Sequence, residues 1–107
     1  MTARVLAVDP GYDRIGVALL ERNATGRDDC LFSTCIQTDR TASHHERLFT
    51  VGDSLREIIL AHEPTDFAIE KLFFQNNAKT AMTVAEARGI MIFLARVHNL
   101  TDRKSVV

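Results

Sequence analysis

Val5-Leu6-Ala7-Val8-Asp9-Pro10-Gly11 is an apolar run that stops on an acid and then turns, and Phe67-Ala68-Ile69-Glu70 ends the same way later in the chain. Each has the length and composition of a β-strand. Arg4 to Val8 reads as a continuous strand of the kind buried on both faces. In an open sheet, ligands gather at the carboxyl ends of strands. Two acids placed there on neighbouring parallel strands would point into one site. A divalent cation suits that geometry better than a salt bridge, because no Lys or Arg lies in the Asp9 motif to pair with it.

The neighbouring segments build outward from this strand. After Asp9-Pro10-Gly11 the chain resumes as a strand over Ile15 to Leu20, where Gly16 allows close backbone approach. Asn23-Ala24-Thr25-Gly26 has turn chemistry, and Leu31 to Gln37 returns as a third strand. Residues 4–37 therefore form an antiparallel meander. Ser43 and Glu46 make a capping box. Behind it Leu48, Val51, Leu55, Ile58 and Ile59 recur at helical spacing, and the helix ends before Pro64, which cannot continue it. A strand over 65–70 then follows a helix, which makes it parallel to an earlier strand. A last helix runs from about Ala78 to His98, with Asn76 or Asn77 as its cap. The order is βββαβα, an α/β domain with a mixed sheet and flanking helices.

Composition narrows the function classes. With 107 residues the chain makes one small domain. It is 46% apolar and 25% charged, within the ordinary globular range. Its formal net charge of −1 excludes a basic whole-domain footprint, so contacts to nucleic acid must rest on local patches. Cys30 and Cys35 fit neither a redox pair nor a zinc knuckle and read as reduced, buried thiols. No stretch is long enough to span a membrane, and no signal region opens the chain. A soluble cytoplasmic protein is expected. His44, His45, His62 and His98 lack metal-ligand spacing, and His44 and His45 read as exposed residues at a helix start.

Ala7-Val8-Asp9-Pro10-Gly11 with Gly16-Val17, then Phe67-Ala68-Ile69-Glu70-Lys71-Leu72-Phe73-Phe74, Asn77-Ala78-Lys79-Thr80-Ala81 and Ala87-Arg88-Gly89, resemble the RuvC-type Holliday junction resolvases. The second block is the specific one; a lone strand ending in Asp-x-Gly occurs in many ribonuclease H-like and actin-like proteins. The resemblance implies a ribonuclease H-like fold. It implies a crossover junction endodeoxyribonuclease that acts in recombination and repair by Mg²⁺-dependent phosphodiester hydrolysis, with Mn²⁺ as a possible substitute. Four-way junction DNA would be the substrate, the intact protein a homodimer, and a branch-migration helicase complex a further partner.

By that resemblance Asp9 and Glu70 are the catalytic and metal-binding acids of a two-metal site. The alternative for Asp9 is a turn-forming acid before Pro-Gly; for Glu70 it is a solvated acid at a strand end. Phe73 is the candidate wedge between bases, or else core, while Phe74 is packed. Lys71, Asn77, Lys79 and Arg88 are candidate DNA contacts that would set position rather than sequence choice; capping and simple solvation are the alternatives. Ala81, Ala85 and Gly89 form a small-residue stripe. A mid-helix Gly costs about 1 kcal/mol relative to Ala and so calls for a packing reason. The stripe serves either a dimer interface or packing of the helix on its own sheet.

The family carries two further aspartates on a later helix, beyond a fifth strand. The expectation is that residues 1–101 are the front of one such domain, with the last strand and helices missing, and that 102–107 are a non-native or disordered tail. Such a fragment would be inactive. Two other readings are a YqgF-like nuclease of ribosomal RNA maturation and a non-catalytic junction-binding or dimerisation module.

Overall fold

The strand that opens the chain is β1, Arg4–Asp9, and it lies at the centre of a five-stranded sheet. The computed structural model describes residues 2–70 and 78–103. β2 (Arg14–Arg22) and β3 (Asp28–Gln37) complete the antiparallel meander, and α1 (His44–His62) crosses to β4 (Asp66–Ile69). α2 (Ala78–Val97) follows, then β5 (Thr101–Arg103). The sheet order is β3-β2-β1-β4-β5, with β1, β4 and β5 mutually parallel.

Local chemistry sets the boundaries. Asn23 Oδ1 accepts from the amides of Thr25 (2.9 Å) and Arg27 (3.0 Å), and Gly26 takes the left-handed conformation that closes the β2–β3 turn. Ser43 Oγ accepts from the Glu46 amide at 3.2 Å, satisfying a donor that α1 cannot satisfy itself. Glu63 ends α1 in the left-handed region, directly before Pro64. Thr65 joins the starts of three strands: it exchanges backbone and hydroxyl bonds with Arg4 and accepts from the Thr101 amide at 2.9 Å.

Both helices cover the same face of the sheet. Leu6, Val8, Ile15, Val17, Leu19 and Phe67 point into one core with Val51, Leu55, Ile58 and Ile59 of α1 and Ala87, Met91 and Ala95 of α2. Gly52 allows the two helices to approach; a Cβ there would stand 3.1 Å from Ile90 Cγ2.

The structure corrects three expectations. β1 is buried on one face only: Leu6 and Val8 are 0% and 3% exposed, while Val5 and Ala7 are half-buried on the opposite face. Among the described residues nothing covers that second face. Cys30 and Cys35 are exposed rather than buried, because β3 is an edge strand with few residues packed against it. The sheet also has a fifth strand where none was expected. Thr101–Arg103 pairs with β4, Leu100 is anchored in the core, and Arg103 Nε donates to the buried Asp66 carboxylate at 2.6 Å. Residues 71–77 and 104–107 lie outside the described residues.

Candidate active site

Asp9 closes β1 and Glu70 directly follows β4. The parallel register aligns Val8 with Ile69, and the Glu70 amide donates to the Val8 carbonyl at 3.4 Å as the last bond of that ladder, so Asp9 and Glu70 are the next residues on each chain. Side chains alternate along a strand. Leu6 and Val8 face the helices, so Asp9 faces away from them, and Glu70 follows by the same parity from Phe67. Both acids stand on the open face.

That face is a trough of about 820 Å³ lined by both acids and by Ala7, Gly16, Ala18 and Ala68. The alanines come from three adjacent strands, with Ala18 and Ala68 flanking Ala7 in the register. Small side chains there leave a shallow floor beside the acids. Gly16 pairs with Asp9 across the β1–β2 ladder. A Cβ at Gly16 would lie 3.5 Å from Asp9 Cβ, so any longer side chain would lean over the carboxylate. No ion pair involves Asp9 among the described residues.

The segment after Asp9 is clamped. Gly11 permits the tight return, since a Cβ there would stand 2.0 Å from the Arg14 carbonyl oxygen. Arg47 of α1, its side chain only 12% exposed, pairs with Asp13 and donates through Nε to Thr38 Oγ1 at 3.1 Å. Its guanidinium also stacks 4.0 Å above the Tyr12 ring. Thr38 Oγ1 donates to the Tyr12 carbonyl at 2.8 Å. His44 is not simply exposed, as a His at a helix start was expected to be. Tyr12 Oη and His44 Nδ1 are 2.6 Å apart, and His44 Nε2 lies 3.3 Å from Glu86 of α2. The turn after Asp9 draws these polar groups together from distant parts of the chain. Sequence reasoning missed the clamp because its members lie on four separate elements without periodicity.

The remaining candidates separate by position. Arg88 Nε donates to the Glu70 carbonyl at 3.1 Å and so ties the end of β4 to α2. Lys79 is exposed on the first turn of α2. Ala85 and Gly89 face outward, with Ala81 half-buried at the edge of the same face. The exposed apolar side chains of Met82, Ile92 and Phe93 adjoin them. Lys71, Phe73 and Asn77 lie outside the described residues. Among the described residues no group of three or more His, Cys, Asp or Glu side chains could hold a metal ion.

A family model, crossover junction endodeoxyribonuclease RuvC, matches residues 5–104. The chain belongs to the RuvC family. It is 37% identical over 95 residues to the RuvC of Brachyspira hyodysenteriae, a match spanning 89% of this chain and 59% of that protein. It is 39% identical over 94 residues to the RuvC of Moorella thermoacetica, spanning 88% and 55% respectively. The chain spans between 44% and 60% of the length of such curated relatives. Among solved structures it is similar in fold to Thermus thermophilus RuvC in complex with a Holliday junction substrate. That likeness has a TM-score of 0.85 at 19% identity and covers 94% of this chain and 64% of the other. The yeast mitochondrial Holliday junction resolvase is also similar, with a TM-score of 0.71 at 13% identity, covering 96% and 50%. The mixed sheet with its helices is thus the RuvC or ribonuclease H-like fold, as the resemblance implied.

Proposed function

We propose that the chain is the front part of a structure-specific endonuclease that resolves four-way DNA junctions in recombination and repair. The observation that carries this reading is the placement of Asp9 and Glu70 at the ends of adjacent parallel strands, lining one trough on the uncovered face of a RuvC-family sheet. Two hard carboxylate donors with open space over one of them fit Mg²⁺, which takes oxygen ligands and keeps several waters. Mn²⁺ fits the same donors. A divalent cation held there supplies charge neutralisation and an activated water to phosphodiester hydrolysis.

This chain's own residues do the remaining work. Asp9 and Glu70 hold the cation. Gly16 leaves room above Asp9, and Arg88 steadies the backbone that presents Glu70. Lys71, Asn77 and Lys79 would meet phosphates, and Phe73 would enter the branch point between bases. The outward stripe Ala81, Ala85 and Gly89 would seat a second copy of the chain, so that two related sites face opposed strands of one junction. A branch-migration helicase complex is the further partner of the intact protein, and the cytoplasm its location. No helix among the described residues is long and apolar enough to cross a membrane.

Two acids are a partial ligand set, so the chain by itself should bind junctions without cutting them. This favours a second reading, a non-catalytic junction-binding or dimerisation module. Purified chain is mixed with a synthetic four-way junction and Mg²⁺ or Mn²⁺, and binding and nicking are followed together. Retention of the junction over linear duplex, with Mn²⁺ binding lost in Asp9→Asn and Glu70→Gln, is expected. Equal affinity for junction and duplex would sink the junction reading. Symmetric nicking abolished by Asp9→Asn would show that the chain is active after all.

A further inference from the structure

The turn that follows Asp9 borders a second groove, separate from the acidic trough. It has a volume of about 450 Å³ and lies between Tyr12–Arg14, Arg40 after β3, and the first turns of α2 at Lys79, Thr80 and Thr83. Three cations, Arg14, Arg40 and Lys79, line it with a single carboxylate, Asp13. That carboxylate is already engaged, by Arg47 and by Arg40 Nη2 at 3.4 Å. Arg14 has no ion partner among the described residues, and both arginines are exposed, Arg40 with 77% of its side chain accessible. The first turn of α2 contains no acid, so the positive end of a 20-residue helix adds to the same field. In a chain of net charge −1 this is a local concentration of positive charge.

Its rigidity matters as much as its charge. Arg47 and Thr38 hold the Tyr12–Asp13 segment by several bonds. Asp39 Oδ1 accepts from the Thr41 amide at 2.9 Å and from its hydroxyl at 2.7 Å, which fixes the loop bearing Arg40. The cations therefore project from ordered backbone. The groove lies at the sheet end where β1 delivers Asp9. A DNA strand with its scissile phosphate at the two acids would cross that end and bring neighbouring phosphates to the groove.

We propose that this groove is a backbone-phosphate subsite for the DNA arm flanking the scissile position, with Arg14 and Arg40 as its principal contacts. The inference rests on the junction-nuclease reading and adds two residues to it. Phosphate contacts of this kind position the duplex without reading its sequence. Each one lost should lower the slope of log K against log salt by about 0.9.

The test is fluorescence anisotropy of a labelled four-way junction with the 107-residue chain, in Ca²⁺, over a series of salt concentrations. Arg14→Gln, Arg40→Gln and the double variant are compared with Arg56→Gln, a cation of α1 outside this groove. Thermal melting confirms that each variant is folded. The double variant is expected to bind several-fold more weakly, equally for junctions of different sequence, with its salt slope reduced by about two contacts' worth. Arg56→Gln should match the unsubstituted chain. Normal binding and an unchanged slope in the double variant would overturn the subsite and leave the junction reading intact. Absence of junction binding by the unsubstituted chain would overturn both.

Discussion

Gly89→Leu separates folding from association because its two effects have opposite signs. Gly89 is exposed on α2, and a Cβ there would meet no heavy atom within 4 Å among the described residues beyond its own stretch of helix. Among the described residues of the monomer the substitution therefore starts from open space. It replaces a mid-helix Gly by a strong helix former, which should stabilise the monomer by about 0.8–1 kcal/mol. For a domain near 100 residues that corresponds to a rise in Tm of roughly 3–8 °C. If the Ala81–Ala85–Gly89 stripe seats a second copy, the same leucine enters a two-fold interface and is felt twice. Overpacking of about 1–3 kcal/mol in total across the interface would weaken the dimer roughly fivefold to 150-fold. Sedimentation equilibrium measures association, and melting at a dilution where the chain is monomeric measures folding. A higher Tm with a weaker dimer is expected. A lowered Tm would refute the outward placement, and an unchanged dimer constant, measured on a version with the C-terminal part restored, would refute the interface.

Gly16→Leu should project over Asp9 and weaken Mn²⁺ binding measured by water-proton relaxation, whereas Gly16→Ala, at an ordinary 3.5 Å contact, should retain it; equal binding in both would remove Gly16 from the site. Arg47→Ala deletes charge-assisted bonds to Asp13 and Thr38 and should cost about 1.5–3 kcal/mol, read as a lower urea midpoint at constant slope; an unchanged midpoint would mean that the clamp is idle. The Thr65 hydroxyl at 2.6 Å, and then Arg103, hold the Asp66 carboxyl below its ordinary value of 3.8. A depressed acid stabilises the fold above its unfolded pKa, and that contribution disappears as pH falls through the lower folded value. Asp66→Asn should therefore reduce stability at neutral pH and flatten the loss of stability below about pH 4; an identical acid limb would contradict this.

The strands, the capped helix and the two acids were legible in the sequence because each rests on local chemistry. Apolar runs of strand length gave β1 and β4 within a residue or two. Ser43, Glu46 and Pro64 bounded α1, and the spacing of Val51, Leu55, Ile58 and Ile59 marked the face it buries. The position of each acid at the carboxyl end of an apolar strand, joined to a parallel crossover, was enough to expect Asp9 and Glu70 in one site. The family resemblance rested on the same stretches.

Only the tertiary structure decided which surfaces are covered. Burial of β1 on both faces and buried cysteines were inferred from composition. Composition cannot say on which side of a sheet the crossovers pack, and here both helices chose one side. β5 escaped notice because three polar residues carry no strand signal; its pairing comes from Thr65 and the anchoring of Leu100. The outward aim of Gly89, the clamp around Tyr12 and the meeting of Arg14 with Arg40 are likewise tertiary. They depend on how helices rotate against the sheet and on contacts between residues far apart in the chain. Local sequence determines which way a side chain points from its own backbone; the packing of whole elements determines what it meets there.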